Sequence, residues 1–175
     1  MTSEPLLTDV LDTPAGPLAI VVDPAEDGAV VLSGYADLVV LLGFAAGAFA
    51  GRPIERSRHI GPAGIAVADY AAGDVGALDR VRVLQPGGPF RAKAWEAMRA
   101  IPAGRTISYA ELAASAGSPT AVRAAGSACA RNRVAPFVPC HRVVRSDGSL
   151  GGYAYGFTVK QALLRHEATW ARQSG

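Results

Sequence analysis

The sequence predicts an α+β protein in which a small sheet-and-helix domain precedes a mostly helical domain that carries a winged helix-turn-helix. Three observations support this prediction. Short apolar segments separated by proline- and glycine-rich turns fill the first half, a pattern typical of antiparallel strands. Segments with helical periodicity and capping signals fill the second half. Between them, residues 85–89 read Gln-Pro-Gly-Gly-Pro, so we expect domains at residues 1–85 and 86–175.

The first half contains the elements of a small sheet with two helices. The predicted strands are Leu6–Leu11, Leu18–Val22, Ala29–Leu32 and Val81–Leu84. The predicted helices span about Ala36–Ala50 and Gly64–Ala72. Because no cluster of catalytic residue types stands out here, we expect this half to support the other.

The second half begins with an amphipathic helix. Pro89 suits a first helical position, and apolar residues recur every three to four positions after it. The residues on this apolar face are Phe90, Ala94, Met98 and Ile101. A helix with one apolar face is expected to pack against a core. A last helix is predicted to reach about Arg172.

A helix-turn-helix is predicted in the middle of this half. Ser108 and Glu111 form a capping box at the start of a short helix that should end at Gly117. The Ser-Pro pair at 118–119 then supplies a cap and first turn for a second helix to about Arg131. Two helices joined by a tight turn are typical of DNA-binding proteins.

A hairpin is predicted after the helix-turn-helix. Asp147-Gly148 is a favourable two-residue turn between the apolar segment 143–145 and residues 149–150. A short hairpin in this position would form the wing of the domain.

Composition excludes several classes of protein. Of the 175 residues, 50% are hydrophobic and 18% are charged, so the chain can bury a core and is not a disordered tail. Its longest apolar run, 38–50, is shorter than the roughly 20 residues that cross a bilayer. Two cysteines cannot build a disulfide framework or a four-thiol metal site. Without a basic leader before an apolar stretch, we expect a cytoplasmic protein with no membrane partner and no metal.

Charge is divided unevenly between the two halves. Residues 1–85 hold 5 basic and 11 acidic side chains, whereas residues 86–175 hold 12 and 4. The net charges are therefore −6 and +8. A basic surface attracts a polyanion, and arginine and lysine contacts to phosphate supply most non-specific DNA affinity. Charge by itself is equally compatible with a solvated basic surface.

Residues 139–141, Pro-Cys-His, combine a candidate nucleophile with a candidate base. Pro139 restricts the backbone, so the thiol of Cys140 would be held on a rigid, non-helical segment. The thiolate is the reactive form, and we expect His141, Arg142 and Arg145 to favour it through nearby positive charge. The alternative is a buried structural cysteine. Adjacent side chains usually point apart, so a Cys-His dipeptide by itself does not indicate catalysis.

The second helix of the predicted helix-turn-helix is built almost entirely of small residues. Ala124, Ala125, Gly126 and Ala128 leave Arg123 as its one long side chain before Arg131. Tight packing against a neighbouring helix would explain this composition. A smooth face with one cation also suits a narrow DNA groove, which arginine can enter.

These residues resemble the O6-alkylguanine-DNA alkyltransferases, also called methylated-DNA–protein-cysteine methyltransferases. The spacing agrees, since Tyr109 lies 31 residues before Cys140, Asn132 lies 8 before it and Glu167 lies 27 after it. The first half resembles the family only loosely, and a ribonuclease-H-like fold is implied for it by analogy. The motifs lie within residues 86–170 and read Ile101-Pro-Ala-Gly-Arg-Thr-Ile-Ser-Tyr-Ala-Glu-Leu-Ala113, Val122-Arg-Ala-Ala-Gly126, Pro139-Cys-His-Arg-Val-Val144, Gly151-Gly-Tyr153 and Leu163-Leu-Arg-His-Glu167.

The resemblance implies a DNA repair protein. Such a protein binds double-stranded DNA through the minor groove, rotates an O6-alkylated guanine out of the stack and transfers the alkyl group to its own cysteine. O4-alkylthymine is a second candidate substrate. Because a thioether is stable, each chain would act once. No cofactor is implied, since the lesion is the alkyl donor, and a monomer is expected in the absence of DNA.

The resemblance also assigns roles to residues. Cys140 would accept the alkyl group, His141 would withdraw its proton through a water, and Glu167 would orient the imidazole. Tyr109 would donate a proton to a ring nitrogen of guanine, and Arg123 would fill the gap in the DNA. The expected DNA contacts are Arg123, Tyr109, Ala124, Gly126 and Arg131. The expected pocket residues are Asn132, Val143, Ser146, Tyr153, Ala154, Tyr155 and Lys160.

The sequence departs from the family pattern at three positions. Arg133 and Ala135 stand where prolines are usual, which implies a more basic and more flexible approach to the reactive cysteine. Tyr155 stands where glycine is usual, beside the expected base pocket. A phenol there would narrow the pocket, so we expect methyl lesions to react faster than bulky benzyl-type lesions.

Two alternatives stay open from the sequence. A non-catalytic, alkyltransferase-like lesion-binding protein would share the architecture, but such proteins typically lack the cysteine that stands here at 140. A Cys-His hydrolase or thiol redox enzyme would need an oxyanion hole or a resolving thiol, and it would leave the helix-turn-helix pattern unexplained.

Overall fold

A computed structural model describes residues 4–173. Residues 1–3 of the first expected domain and 174–175 of the second lie outside the described residues. A four-stranded sheet of order β3-β2-β1-β4 occupies the first half. The strands are β1 (Leu6–Thr13), β2 (Gly16–Asp23), β3 (Ala29–Gly34) and β4 (Ile54–Arg56). The antiparallel pairing of β1 with β2 and of β2 with β3 confirms the predicted sheet. β4, which was not predicted, pairs parallel to β1.

Two elements of the first half differ from the prediction. Helix α1 covers only Leu38–Phe44, because Ala46 and Gly47 adopt positive φ angles of 39° and 76° that an α-helix cannot contain. The predicted strand Val81–Leu84 is wrong, since its only strand pairing within residues 4–173 is an isolated bridge between Val83 and Val30. Helix α2 (Pro62–Ala71) lies close to its predicted position.

Within residues 86–173, the second half contains four α-helices and two short strands. The helices are α3 (Pro89–Arg99), α4 (Tyr109–Ser115), α5 (Val122–Ala130) and α6 (Phe157–Gln173). The strands β5 (Ile107–Ser108) and β6 (Val143–Val144) pair with each other in parallel. The predicted capping box is confirmed, with the Ser108 hydroxyl accepting from the Glu111 N–H at 3.1 Å and the Glu111 carboxylate accepting from the Ser108 N–H at 2.6 Å.

The helix-turn-helix and the wing differ from the prediction in detail. Helix α5 begins at Val122 rather than at the Ser-Pro pair, because residues 118–121 form a separate turn closed by the Ala121 N–H on the Ser118 carbonyl at 2.9 Å. The predicted turn at Asp147-Gly148 is present, and the Arg145 N–H donates to the Ser149 carbonyl at 3.0 Å. The strand before it pairs with β5, so the wing is a turn and not a hairpin.

One hydrophobic core joins the two halves. It extends from Ile20 of β2 through Tyr70 of α2 to Met98 of α3 and Leu163 of α6, all at most 1% exposed. The Ser33 hydroxyl of β3 also donates a hydrogen bond to the Ala135 carbonyl, in the segment that follows α5. We propose a domain boundary near Pro86, but the shared core means that neither half buries its apolar surface alone. Within residues 4–173 none of the helices has the length and apolar character needed to span a bilayer.

Candidate active site

Cys140 opens a single 3-10 turn, Cys140–Arg142, directly after Pro139. Its side chain is 6% exposed, and its Sγ lies 3.2 Å from Nδ2 of Asn132. The same Nδ2 donates to the Val138 carbonyl at 2.7 Å. Asn132 therefore holds both the thiol and the backbone that leads to it, as expected for a residue that braces this turn.

The thiol faces a cavity of about 290 Å³, here called the thiol cavity. Its lining is drawn from α4, α5, the reactive turn and the loop before α6. The lining residues are Tyr109, Gly126, Cys129, Ala130, Cys140, Gly152, Tyr153 and Ala154. Four of the expected site residues other than Cys140 are thus brought to one cavity, together with Cys129, which no sequence motif marks as functional.

The charge around the thiol differs from the expectation. Burial raises the pKa of Cys140, and the hydrogen bond from Asn132 and the positive charge of Lys160 only partly offset this. The expected contribution of Arg142 and Arg145 is wrong, because Arg142 bonds to carboxylates and Arg145 is exposed. The surroundings therefore favour the protonated thiol of Cys140 over its thiolate.

His141, the residue after Cys140, belongs to a buried polar network. It is completely buried, and its Nε2 lies 2.8 Å from Oε1 of Glu167, which is also completely buried. Its other ring nitrogen, Nδ1, is buried with no hydrogen-bond partner among residues 4–173. The ring thus has one nitrogen fixed by a carboxylate and the second available for a proton.

Glu167 accepts hydrogen bonds from three side chains. Besides His141, the Tyr70 hydroxyl donates to Oε1 at 2.9 Å, and Arg142 donates to both oxygens at 3.0 Å. Burial by itself would raise the pKa of Glu167, but His141 and Arg142 outweigh it and hold this pKa well below its usual range. The carboxylate therefore stays ionised beside the imidazole.

Arg142 extends this network into the first half. Its Nη1 donates to both carboxylate oxygens of Asp79 at 3.0 and 3.1 Å, and to the Ile101 carbonyl at 2.8 Å. Burial raises the pKa of Asp79 in spite of the neighbouring Arg142. Sequence reasoning did not identify Tyr70 or Asp79 as members of the site, and it gave Arg142 a different role, as a charge beside the thiol. Their only local signal is a polar or charged side chain close to apolar neighbours.

Lys160 holds together the backbone segments that border the site. Its Nζ is buried and donates to the backbone carbonyls of Val143 at 2.7 Å and Gly152 at 3.3 Å, as well as to Leu150. Burial lowers the pKa of this lysine. One side chain thus ties the segment after the reactive turn to the loop that forms one wall of the thiol cavity.

The residues expected to contact DNA lie on α4 and α5. Tyr109 is the first residue of α4, is half-buried and lines the thiol cavity. On α5, Arg123 and Ala124 are exposed, whereas Gly126 reaches the cavity. Arg131 is exposed at the end of α5. A surface that runs along α5 therefore leads into the thiol cavity.

The remaining expected pocket residues are spread more widely. Ser146 is exposed on the turn and is not part of the cavity lining among the described residues. Tyr155 lines a neighbouring cavity, with its ring edge-on to Tyr153 at 5.6 Å between centroids. Its hydroxyl lies 3.5 Å from the Ser33 carbonyl of β3. Tyr155 thus borders the thiol cavity through Tyr153 and does not project into it.

Nothing in this part of the molecule suggests a metal centre. Among residues 4–173, no three His, Cys, Asp or Glu side chains are grouped so that they could hold a metal ion. The arrangement consists of a thiol and a phenol that line one cavity and a buried imidazole–carboxylate pair next to the thiol in the chain, and it can support transfer of a group to sulfur.

Comparisons with known proteins agree with this arrangement. Residues 89–169 match the family described as 6-O-methylguanine DNA methyltransferase, DNA binding domain. The methylated-DNA–protein-cysteine methyltransferase of Salmonella typhimurium is 39% identical over 166 residues, which cover 93% of this chain and 95% of that protein. The bifunctional transcriptional activator and DNA repair enzyme Ada of Escherichia coli is 54% identical over 82 residues, 47% of this chain and 23% of its own length.

A solved structure shows the same likeness in three dimensions. The crystal structure of Mycobacterium tuberculosis OGT in complex with DNA has a TM-score of 0.73 and 28% identity, and the match covers 94% of both chains. The Salmonella typhimurium relative covers almost the whole chain, and the family match covers its helical half. Both indicate the same family. On this basis the chain belongs to the methylated-DNA–protein-cysteine methyltransferase family.

Proposed function

We propose that this chain repairs DNA by transferring the alkyl group of O6-alkylguanine to Cys140 in a single, irreversible turnover. The observation that carries the proposal is the thiol that opens into a cavity of about 290 Å³, while the next residue, His141, forms a buried pair with Glu167. The partner is double-stranded DNA that contains the alkylated base. The protein acts as a monomer before it meets DNA.

The lesion must leave the helix before it reacts. An O6-alkyl group inside a base pair is closed to a sulfur that approaches in line, so the base is rotated out of the stack, and a damaged pair resists this rotation less. The net charge of +8 on residues 86–175 favours binding to the phosphate backbone. Arg123, exposed on α5, fills the space that the base leaves.

The transfer forms a sulfur–carbon bond and breaks the carbon–O6 bond of the lesion. The proton of the Cys140 thiol passes, through a water, to Nδ1 of His141, and Glu167 stabilises the imidazolium that results. The Tyr109 hydroxyl donates a proton to a guanine ring nitrogen, so guanine leaves as a neutral base, and the imidazolium proton restores the phenol. The products are an S-alkylcysteine and an intact guanine.

Two residues position the reacting groups. Asn132 holds Sγ by the 3.2 Å hydrogen bond from its amide, and Lys160 fixes the loop that carries Tyr153. The Val143 carbonyl accepts from Lys160, and we propose that it and the Cys140 carbonyl read the amino group of guanine. A raised pKa of Cys140 is compatible with reaction because Glu167 holds the imidazole of His141, the proposed base, in place.

A matched pair of cysteine variants tests the proposal. Cys140→Ser and Cys129→Ser remove one sulfur each from the same cavity. Incubated with a duplex that contains one O6-methylguanine, Cys140→Ser should bind but not demethylate the DNA, while Cys129→Ser should demethylate it at the parent's rate. Demethylation by Cys140→Ser, or its loss in Cys129→Ser alone, would contradict the assignment. Binding without transfer by the parent would indicate a lesion-binding protein.

A further inference from the structure

A second cavity, of about 280 Å³, adjoins the thiol cavity and shares Ala130 and Ala154 with it. It lies between α1, the start of α3 and the segment that follows α5. Three arginines, Arg91, Arg131 and Arg133, line it, so we call it the arginine cavity. The rest of its wall consists of Leu32, Leu41, Phe44, Pro86, Asn132 and Tyr155.

The three guanidinium groups have no counter-ion in the part of the chain that the structure describes. Arg91 stands over the ring of Trp95 at 5.9 Å and Arg133 over the ring of Phe49 at 5.8 Å, but neither they nor Arg131 contact a carboxylate among residues 4–173. By contrast, the exposed Arg82 pairs with two carboxylates at 3.0 and 3.2 Å.

Arg133 is in the least favourable electrostatic environment of the three. Its Nε is buried without a hydrogen-bond partner among the described residues, and burial lowers the pKa of its guanidinium. A cation that is partly removed from water without a partner is unfavourable, and three like charges around one cavity add to this. An anion in the cavity would relieve both effects, since a guanidinium forms strong, geometrically defined bonds to phosphate oxygens.

The position of the arginine cavity points to DNA as the source of that anion. Arg123, Ser127 and Arg131 are exposed and recur every four residues, so they lie along one face of α5 and its end. Over these eight residues the helix rises roughly 12 Å. That distance equals about three to four nucleotide steps of a DNA strand.

We propose that the arginine cavity binds a backbone phosphate of the DNA, roughly three to four nucleotides from the flipped base. The position of this phosphate relative to the lesion rests on the proposed function, in which Arg123 marks the gap in the helix. Arg133 and Arg131 hold the phosphate oxygens, and Arg91 closes the opposite side. The apolar wall formed by Leu41 and Phe44 of α1 suits the adjoining deoxyribose. The first half of the chain thereby takes part in DNA binding.

The salt dependence of DNA binding tests the cavity without any reaction. Arg131→Gln and Arg133→Gln are compared with Arg82→Gln, which removes the same charge from an exposed site outside the cavity. On an unmodified duplex, each cavity variant should bind more weakly than the parent. The slope of log affinity against log salt should fall in magnitude by about 0.9 for each phosphate that the variant no longer neutralises. Circular dichroism checks the fold, and Arg131, exposed at a helix end, is the more tolerant position. Cavity variants that match Arg82→Gln in affinity and slope would overturn the proposal.

A change on the DNA side locates the phosphate. Single neutral methylphosphonate linkages are introduced along a duplex that contains O6-methylguanine, and the second-order rate of methyl transfer is measured below saturation. One linkage should slow the parent by about tenfold, as expected when a charged hydrogen bond is removed. Arg133→Gln should be slow on the native duplex and insensitive to that linkage. Equal sensitivity of parent and variant at every linkage would overturn the proposal. If the parent transfers no methyl group, the proposed function fails. The salt dependence of DNA binding then decides by itself whether the arginine cavity binds a phosphate.

Discussion

The two halves of the molecule differ in charge and in what they contribute to the site. The acidic first half has a net charge of −6, whereas the second half, with +8, holds Cys140, His141, Glu167 and the helices α4 and α5. Yet the first half supplies Tyr70 and Asp79 to the network around Glu167. The reacting groups and part of what orients them therefore come from different halves.

Arg142 is one of the residues that connect the halves. It is fully buried and bonds Glu167 of α6, Asp79 of the first half and the Ile101 carbonyl. Buried ion pairs add little stability compared with apolar residues of the same volume, but removing one partner leaves an uncompensated charge. We infer that this network fixes the orientation of the halves and of the imidazole, while the shared apolar core supplies most of the stability.

The largest expected effect follows from removing this connection. Arg142→Met leaves the buried Glu167 and the partly buried Asp79 without their shared cation, and should lower the free energy of unfolding by about 3–5 kcal/mol. Chemical denaturation measures the decrease. Arg145→Met removes a neighbouring but exposed arginine and should change stability by less than about 0.5 kcal/mol. Similar decreases in both variants would show that the connection between the halves does not depend on Arg142.

Acid should weaken the same connection. The pKa of Glu167 is lower in the folded protein than its usual value of 4.5, so its ionised form stabilises the fold above that pH, and this contribution is lost as the pH falls further. Tyr70, His141, Arg142 and Asp79 face this network, and the raised pKa of Asp79 acts in the opposite direction. Glu167→Gln should therefore be less stable at neutral pH but lose less stability on acidification. Parallel stability curves for parent and variant would contradict this.

A smaller effect is expected from removing the Tyr70 hydroxyl, which the first half supplies to the network. Tyr70→Phe removes one hydrogen bond to a buried carboxylate, which corresponds to about 1.5–3 kcal/mol of stability. Methyl transfer should slow by about tenfold or less, since tenfold corresponds to about 1.4 kcal/mol. Tyr35→Phe is the matched control, because the Tyr35 hydroxyl bonds Thr13 and not Glu167. Transfer rates that are equal in the two variants would limit the first half to a supporting role.

The smallest effect concerns the contact between Tyr155 and β3. A side chain added at Gly34 would overlap the Tyr155 hydroxyl, so this ring fills the space between the loop and the sheet. Tyr155→Gly should raise the transfer rate of a benzyl-type lesion by about tenfold relative to a methyl lesion. Without the Tyr155 ring against it, the Tyr153 ring can move and widen the thiol cavity. Tyr155→Phe, which keeps the ring, should behave like the parent. An unchanged ratio in Tyr155→Gly would rule out a role in lesion size.

Sequence reasoning succeeded where the signals are local or arranged in a motif. The antiparallel strands and the capping box at Ser108 follow from short-range patterns, and the spacing of Tyr109, Cys140 and Glu167 pointed to a shared site. The structure places Tyr109 and Cys140 on one cavity, and Glu167 bonds the ring of His141, the residue after Cys140. Their roles in transfer stay a prediction.

Long-range partners and backbone geometry were not predictable in the same way. Tyr70 and Glu167 are 97 residues apart, and Asp79 and Arg142 are 63 apart, so no local pattern connects them. The alanine-rich segment after Phe44 has helical propensity, but positive φ angles end the helix there. β4 was missed because two of its three residues are charged and exposed.

Peptide mass spectrometry decides whether Cys140 receives the alkyl group, on which the proposed repair reaction depends. The protein is incubated with a duplex that contains O6-methylguanine, digested and compared with protein exposed to the unmodified duplex. We expect a gain of about 14 Da, one methyl group in place of a proton, on the peptide that contains Cys140 and on no other. A methylated Cys129 peptide, or an unmodified Cys140 peptide after the lesion has disappeared from the DNA, would contradict the proposed transfer.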